Sequence, residues 1–426
     1  MGPITGTAKL DIKRFCILIG PQSNGKSTIA KILSTCMWLE KEACTSISET
    51  VIEDGNAFKT LVEDFHRMHN YIHPDRSVIE YHSPYIDISY NKGEFSMSFK
   101  DWASYSRTKI SYIPSDRNVV TMKDIEKRDM SATNFRSFLF DWLDANRHFD
   151  STHKAPILDL DMQYYYNDQL KENNDMLVHE NGVTYNIPLY DASSGMQSLV
   201  PMTVLMHYLV NDYFDNYGNE MSFEARQKVN DLSWKITQKV IEKYFPEEAA
   251  SSDYKLIYLK NIKERTDKND PEAIRIEKEM VDLFRALVIP DKISFIVEEP
   301  EQNLFPKTQV SLMNDIVALC NASHPSSVFI TTHSPYLLAA ANILLFADSL
   351  KDKGVSQEDI CKCIKCNTSI PINEFSAYSV SNGTCESLLD ESTNLIKEND
   401  LDSASDFNAE VFDKLYKLYI NKLQEK

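Results

Sequence analysis

Eight residues near the start of the chain have the types and spacing to hold a phosphate. Gly20 to Ser27 reads GPQSNGKS and meets the pattern G-x-x-x-x-G-K-[ST] at each fixed position. Gly20 and Gly25 let the backbone turn its N–H groups inward as a nest for anionic oxygens, with Pro21, Gln22, Ser23 and Asn24 between them. Lys26 would set a point charge against β- and γ-phosphates, and Ser27 would offer its hydroxyl to Mg²⁺. Thr28 follows in the first turn of a helix whose positive end faces the same anion.

Further along, three other groups fall where chemistry is usually delivered. The apolar run Ile293 to Val297 ends in Glu298 and Glu299. Two carboxylates at the end of a buried strand suit one role on Mg²⁺ and one beside a hydrolytic water. The run Ser327 to Thr332 ends in His333-Ser334-Pro335, so the imidazole would reach the same γ-phosphate. Ser193, Ser194 and Gly195, with Gln197 behind them, open a long apolar helical run through Leu209 and make a second anion site at a helix start. Taken singly, these are ordinary features: solvated glutamates, a structural histidine, a serine-capped helix. The phosphate loop is what tips them toward function. Cys361, Cys363 and Cys366, with Cys385 beyond, offer four thiols to zinc, but the spacing fits no familiar ribbon and reduced thiols in a loop or strand is the preferred reading.

The elements that must position these groups are legible in outline. Phe15 to Ile19 is a buried strand, and Ile29, Ile32, Leu33, Cys36 and Met37 mark one face of the helix after the loop. Ala8 to Ile12 alternates like a strand edge. Residues 43–80 read as mixed and helical. Residues 84–100 alternate with period two around Asn91-Lys92-Gly93, a hairpin, and an apolar strand ends in YIPSDRN, Tyr112 to Asn118. Residues 121–170 read mainly as helix, with Phe135, Phe138, Phe140 and Trp142 in a core. Residues 176–189 read as a hairpin turning at Glu180-Asn181-Gly182. Residues 211–290 are charged and helical without sustained heptads, which excludes a long coiled-coil arm. Residues 307–320 form a helix, and 343–384 complete the sheet. A last helix carries Phe407, Val411, Leu415, Leu418 and Tyr419 on one face, packed on the body.

Length and charge narrow the classes further. The 426 residues suffice for one large or two ordinary domains, with 63 Asp+Glu against 45 Lys+Arg and a formal charge of −18. That charge disfavours nonspecific nucleic-acid binding over the whole surface, while leaving room for a local basic groove. No apolar run approaches the ~20 residues of a membrane span, and the N-terminus has no signal-peptide core. A cytoplasmic protein with mostly reduced cysteines is expected, with no membrane partner.

The order phosphate loop, Ser-Ser-Gly helix, Glu-Glu strand, NLFP turn and strand ending in His resembles the ABC-type ATPase heads. More narrowly, GPQSNGKS, YIPSDRN, SSGMQS, EEPEQNLFP and TTHSPYLL resemble the AAA-family ATPases related to the overcoming-lysogenization-defect proteins, over most of the chain. The resemblance implies an α/β fold of the P-loop NTPase, ABC-ATPase type: a mixed central sheet with an antiparallel β subdomain and a helical lobe. It implies one head over 1–426. In it, 1–44 and 291–385 form the nucleotide core, 45–190 a β-hairpin and helical insertion, 191–290 the signature helix and helical lobe, and 386–426 a helical tail. Glu298 takes the Walker B position, Glu299 that of the catalytic base, and His333 that of the switch histidine beside Lys26. Ser194 and Gly195 are the signature capping ATP held by a second subunit, Asn303 stands in the D-loop, and Asp116 and Arg117 lie near a Q-loop. Met196 replaces the glycine at signature position four. Only 93 residues follow His333, without the metal-binding glutamate and Asp-x-Asp of the nuclease relatives, so no nuclease is expected here.

These readings make the chain a Mg²⁺-dependent ATPase forming a head-to-tail homodimer around two ATP molecules. The resemblance adds a regulatory role in bacterial anti-phage defence, with a separate effector protein. Alternatives are an ATPase of DNA repair or recombination, a nucleotide-gated scaffold with negligible turnover, and the motor of a membrane transporter. Glu299 disfavours the scaffold, and the Glu-Glu-Pro-Glu and HSPYLL stretches disfavour the transporter.

Overall fold

In a computed structural model the described residues are 1–128, 130–170, 174–179, 185–216, 223–250, 253–322, 325–399, 401 and 410–417. They divide into two compact units.

One unit comprises Met1, 32–110 and 211–294. Its sheet has strands Val78–His82, Ile86–Asn91 and Glu94–Phe99, paired antiparallel in sequence order. Ile86, Ile88 and Tyr90 point inward on alternate positions and are buried, so the period-two pattern found its core face. The expected turn is there: Lys92 (φ 48°) and Gly93 (φ 93°) both take the left-handed conformation that a two-residue hairpin demands. The strand Val78–His82 lies where helix was expected; it alternates exposed and buried against its partner rather than with helical spacing. Helix Gly55–His66 holds Phe58 and Val62 in the core and is capped by Asp54, whose carboxylate accepts the Ala57 N–H at 2.8 Å. Helices Phe223–Tyr244 and Pro271–Val288 belong to the same unit, and their Ile236, Val240, Ile241, Ile276 and Leu287 join one apolar cluster with the sheet.

The other unit comprises 2–31, 111–210 and 295–426. Its central sheet takes strands β1 (Phe15–Ile19), β2 (Thr108–Ile113), β3 (Lys292–Glu298), β4 (Ser326–Thr331), β5 (Phe375–Ser381) and β6 (Thr384–Ser387), in the order β6-β5-β1-β4-β3-β2. β1 runs parallel to both neighbours, pairing Leu18 with Thr331 and with Tyr378, while β5 and β6 are antiparallel. The sheet is mixed, with parallel strands at its centre. β1 is buried along its whole length and β3 from Ile293 onward, which explains their near-continuous apolar runs. Helices α1 (Lys26–Ser46), α2 (Ser194–Asn211), α3 (Pro306–Cys320) and α4 (Pro335–Asp352) follow β1, a four-stranded sheet, β3 and β4. That second sheet, Ala155–Pro156, Met162–Tyr166, Asp175–His179 and Tyr185–Pro188, is antiparallel.

Several expectations change. Within 45–190, Thr108–Ile113 is β2 of the central sheet, and 111–210 lie in that sheet's unit. Ala8 to Ile12 forms no strand. The Asp11 N–H instead donates to Tyr378 Oη at 2.8 Å and the Lys13 N–H to Ser376 Oγ at 3.3 Å, side-chain partners in place of a ladder. In 121–170 only Asn134–Asn146 is a long helix; Phe135, Phe138 and Trp142 are buried but Phe140 faces outward. Residues 343–352 lie in α4, not in the sheet. The hairpin of 176–189 has its two strands, with its turn outside the described residues. In the tail, 410–417 are helical, but Val411 and Leu415 are exposed rather than packed; Phe407, Leu418 and Tyr419 lie outside the described residues. Among the described residues, no helix is long and apolar enough to cross a membrane.

Candidate functional site

Register brings the ends of three neighbouring strands together. β1 ends at Ile19, where Gly20 opens the loop into α1. The Thr332 N–H donates to Leu18 O at 2.9 Å, and the Glu299 N–H donates to Thr331 O at 2.8 Å. Gly20, Glu299 and His333 thus leave the sheet side by side. That is why residues 271 and more positions apart in sequence meet here.

The loop is built by its glycines. Gly20 has φ +141°, and a Cβ there would lie 2.1 Å from Val380 O of β5. Gly25 has φ +102°, and a Cβ there would press on Ile4 at 2.4 Å. Between them Ser23 is also left-handed (φ 61°), and Pro21, Gln22 and Ser23 are exposed. Asn24 Nδ2 bonds Gln22 O at 3.2 Å, which tightens the turn. α1 begins at Lys26, so the N–H groups of its first turn precede any intrahelical acceptor and are the groups that a helix start offers to an anion.

Lys26 is almost fully buried, and its ammonium donates to Gly20 O at 2.8 Å and Pro21 O at 3.0 Å. Burial lowers its pKa, opposed by the charges of Glu299 and Glu301. A buried lysine held only by carbonyls is a cation seeking an anion. Ser27 Oγ donates to Glu298 Oε2 at 3.0 Å. Glu298 is itself 5% exposed, and its other oxygen accepts a hydrogen bond from the buried Tyr112 hydroxyl. Burial, and next the Glu298 charge, push the Tyr112 phenol well above its ordinary pKa, so it stays a donor to that carboxylate. Glu299 takes a left-handed backbone (φ 44°), and its Oε1 lies 3.8 Å from His333 Nε2. Burial, and then Lys26, lower the His333 pKa against the pull of Glu299, so the ring is neutral at neutral pH.

Arg117 was expected only near a glutamine loop, with Asp116 beside it. It is fully buried and holds the site's frame. Its guanidinium donates to Glu298 O at 2.9 Å, Glu299 O at 2.8 Å, Pro300 O at 3.4 Å, Pro114 O at 3.2 Å and Ser198 O at 2.9 Å. Burial lowers its pKa to about 10, and the charges of Glu301, Glu299, Glu298 and Asp116 oppose the shift. The turn after β3 is therefore pinned to the first turns of α2. Sequence reasoning missed Tyr112 and Glu301 too. The one available signal was the polar YIPSDRN stretch directly after an apolar strand.

Ser193, Ser194, Gly195, Gln197 and Asn303 form a second group. Ser194 opens α2, and Ser193 and Ser194 are exposed. The Met196 N–H reaches Ser193 Oγ at 3.5 Å, and Gln197 Nε2 donates to Tyr190 O at 2.6 Å and Ala192 O at 3.1 Å. Asn303 is left-handed (φ 60°); its Nδ2 lies 3.5 Å from Ser198 Oγ, and its carbonyl would be 2.7 Å from a Cβ at position 195. Gly195 is thus needed for close approach of the NLFP turn. Among the described residues, no hydrogen bond joins this group to the Gly20–Ser27 loop.

The four cysteines do not gather. Cys361 and Cys366 are joined to each other as a disulfide, Cys363 is exposed, and Cys385 is on β6. Six cysteines remain free. Among the described residues, no group of three or more His, Cys, Asp or Glu side chains is placed to hold a metal ion. The pair Ser27 Oγ and Glu298 Oε2 is another matter. These are two hard oxygens at 3.0 Å, and Mg²⁺ takes one or two such protein oxygens with phosphate and water completing the set. Compared with family models and with curated proteins, the chain matches none.

Proposed function

We propose that the chain is a P-loop NTPase of the ABC type that binds and hydrolyses Mg·ATP. The observation that carries this reading is the meeting of Lys26, Ser27, Glu298, Glu299 and His333 at the ends of three adjacent strands beside the first turn of α1. The β- and γ-phosphates lie in the Gly20–Ser27 backbone nest, and the Lys26 ammonium exchanges its carbonyl partners for phosphate oxygens. Ser27 and Glu298 would hold Mg²⁺, which neutralises phosphate charge. Tyr112 keeps Glu298 oriented by donating to its second oxygen. Glu299 Oε1 takes the proton of the attacking water, and His333 Nε2 steadies the γ-phosphate and the base.

Ser194 and Gly195 of a second copy would complete the charge cage, since α2's exposed start has no tie to its own loop. That gives a head-to-tail homodimer with two ATP molecules between the subunits. For what the hydrolysis serves, the family resemblance supplies the reading: a cytoplasmic regulatory ATPase of anti-phage defence acting on a separate effector protein.

The test is Mg·ATP turnover per subunit against protein concentration, with Lys26→Ala and Ser194→Arg as controls. Turnover that climbs with concentration and disappears in both variants is expected. Turnover that survives Lys26→Ala removes the ATPase reading; flat turnover that survives Ser194→Arg removes the composite site alone.

A further inference from the structure

Glu301 is a carboxylic acid in the turn after β3 that the mechanism above does not use. Its Oε1 accepts the His333 backbone N–H at 2.6 Å, and the Thr332 hydroxyl also bonds it. Its Oε2 is buried with no hydrogen-bond partner. A solvated turn residue would not surrender a carboxylate oxygen in this way. The Glu301–His333 bond links the turn after β3 to the end of β4, and those two turns carry Glu299 and His333. Glu299, by contrast, is over a third exposed and has its oxygen beside the imidazole. The two acids are therefore differently employed: one faces the open side of the site, the other grips backbone beneath it.

We propose that Glu301 is the positioning residue for His333, its carboxylate holding the backbone from which the imidazole reaches Glu299. The role rests on the ATPase reading for its consequence, but not for its geometry. Without that acceptor the His333 N–H loses its hydrogen-bond partner although Thr332 stays tied to Leu18, and the ring leaves Glu299.

A double-mutant cycle tests it in the full chain. Glu301→Ala should lower kcat about 30-fold with KM for ATP little changed, as expected for a misplaced catalytic group. His333→Ala should cost as much, and the double variant should fall no more than about twofold below His333→Ala. Glu301→Gln keeps an acceptor for the His333 N–H and should stay within about threefold of the parent. Losses that multiply, or a Gln variant as poor as the Ala variant, overturn the proposal. The imidazole resonance of His333, assigned by its absence in His333→Ala, provides a readout that needs no turnover. It should move toward the position of an exposed histidine in Glu301→Ala while the other histidine signals stay. An unmoved signal overturns the positioning role. A moved signal in a chain without ATP turnover keeps it and removes the ATPase reading instead.

Discussion

Arg117 shows how much one side chain settles at this site. A fully buried guanidinium has no water to replace lost partners, and here its partners are carbonyls from the turn after β3, from the end of β2 and from α2. Arg117→Lys keeps the charge but abandons the fork. Each carbonyl left unpaired in a buried place costs about 1–3 kcal/mol. The variant should lose about 3 kcal/mol of unfolding free energy, read from urea denaturation, and ATP turnover should fall with it. Unchanged denaturation would mean that the fork is not what holds the turn. The lowered His333 pKa makes a second prediction. The folded ring resists protonation while the unfolded ring takes a proton near pH 6.5, so its contribution is present above about pH 6.5 and lost as pH falls. The parent should lose stability relative to His333→Gln as pH falls below about 6.5, and parallel curves would contradict it.

At the scale of elements, two glycines set what can lie beside what. Gly195 allows the Asn303 carbonyl to sit against the first turn of α2, 2.7 Å from where a Cβ would be. Gly195→Ala should therefore push the NLFP turn away, costing about 1–3 kcal/mol and weakening ATP turnover more than it weakens the fold. The comparison of kcat with the urea midpoint decides it; a variant matching the parent in both would show that the turn gives way freely. Gly20 has no such latitude, because its neighbour at 2.1 Å is the backbone of β5 and its φ is +141°. Gly20→Ala should cost more than Gly195→Ala in the same denaturation series.

For the whole molecule, the formal charge of −18 opposes the meeting of two copies at low salt. If ATP closes a composite site between subunits, Glu299→Gln should accumulate an ATP-bound dimer, because it keeps the shape and loses the base. The dimer fraction by light scattering should grow with added salt up to about 0.3 M as that repulsion is screened. A Glu299→Gln chain that stays monomeric at every salt concentration with ATP bound would deny the shared site.

The local determinants were readable in the chain because they are local. The Gly20–Ser27 loop, the β1 and β3 apolar runs, the hairpin at Lys92-Gly93 and the Ser194 helix start each depend on neighbours within a few residues, and each is found where its pattern placed it. The α/β class that the resemblance implied is the class of the fold, with a mixed central sheet. Patterns that depend on a distant partner misled. Ala8 to Ile12 alternates but has no strand to pair with, Phe140 shares a helix with buried aromatics yet faces outward, and Cys361 and Cys366 form a disulfide where reduced thiols were the preferred reading. Tertiary structure alone decided that β2 lies at the sheet's edge beside β3. That placement sends Tyr112 to Glu298 and Arg117 to the turn behind it. It also decided that Glu301 sits under His333, since strand order is set by which apolar faces pack best over the whole unit, and no window of sequence contains that sum.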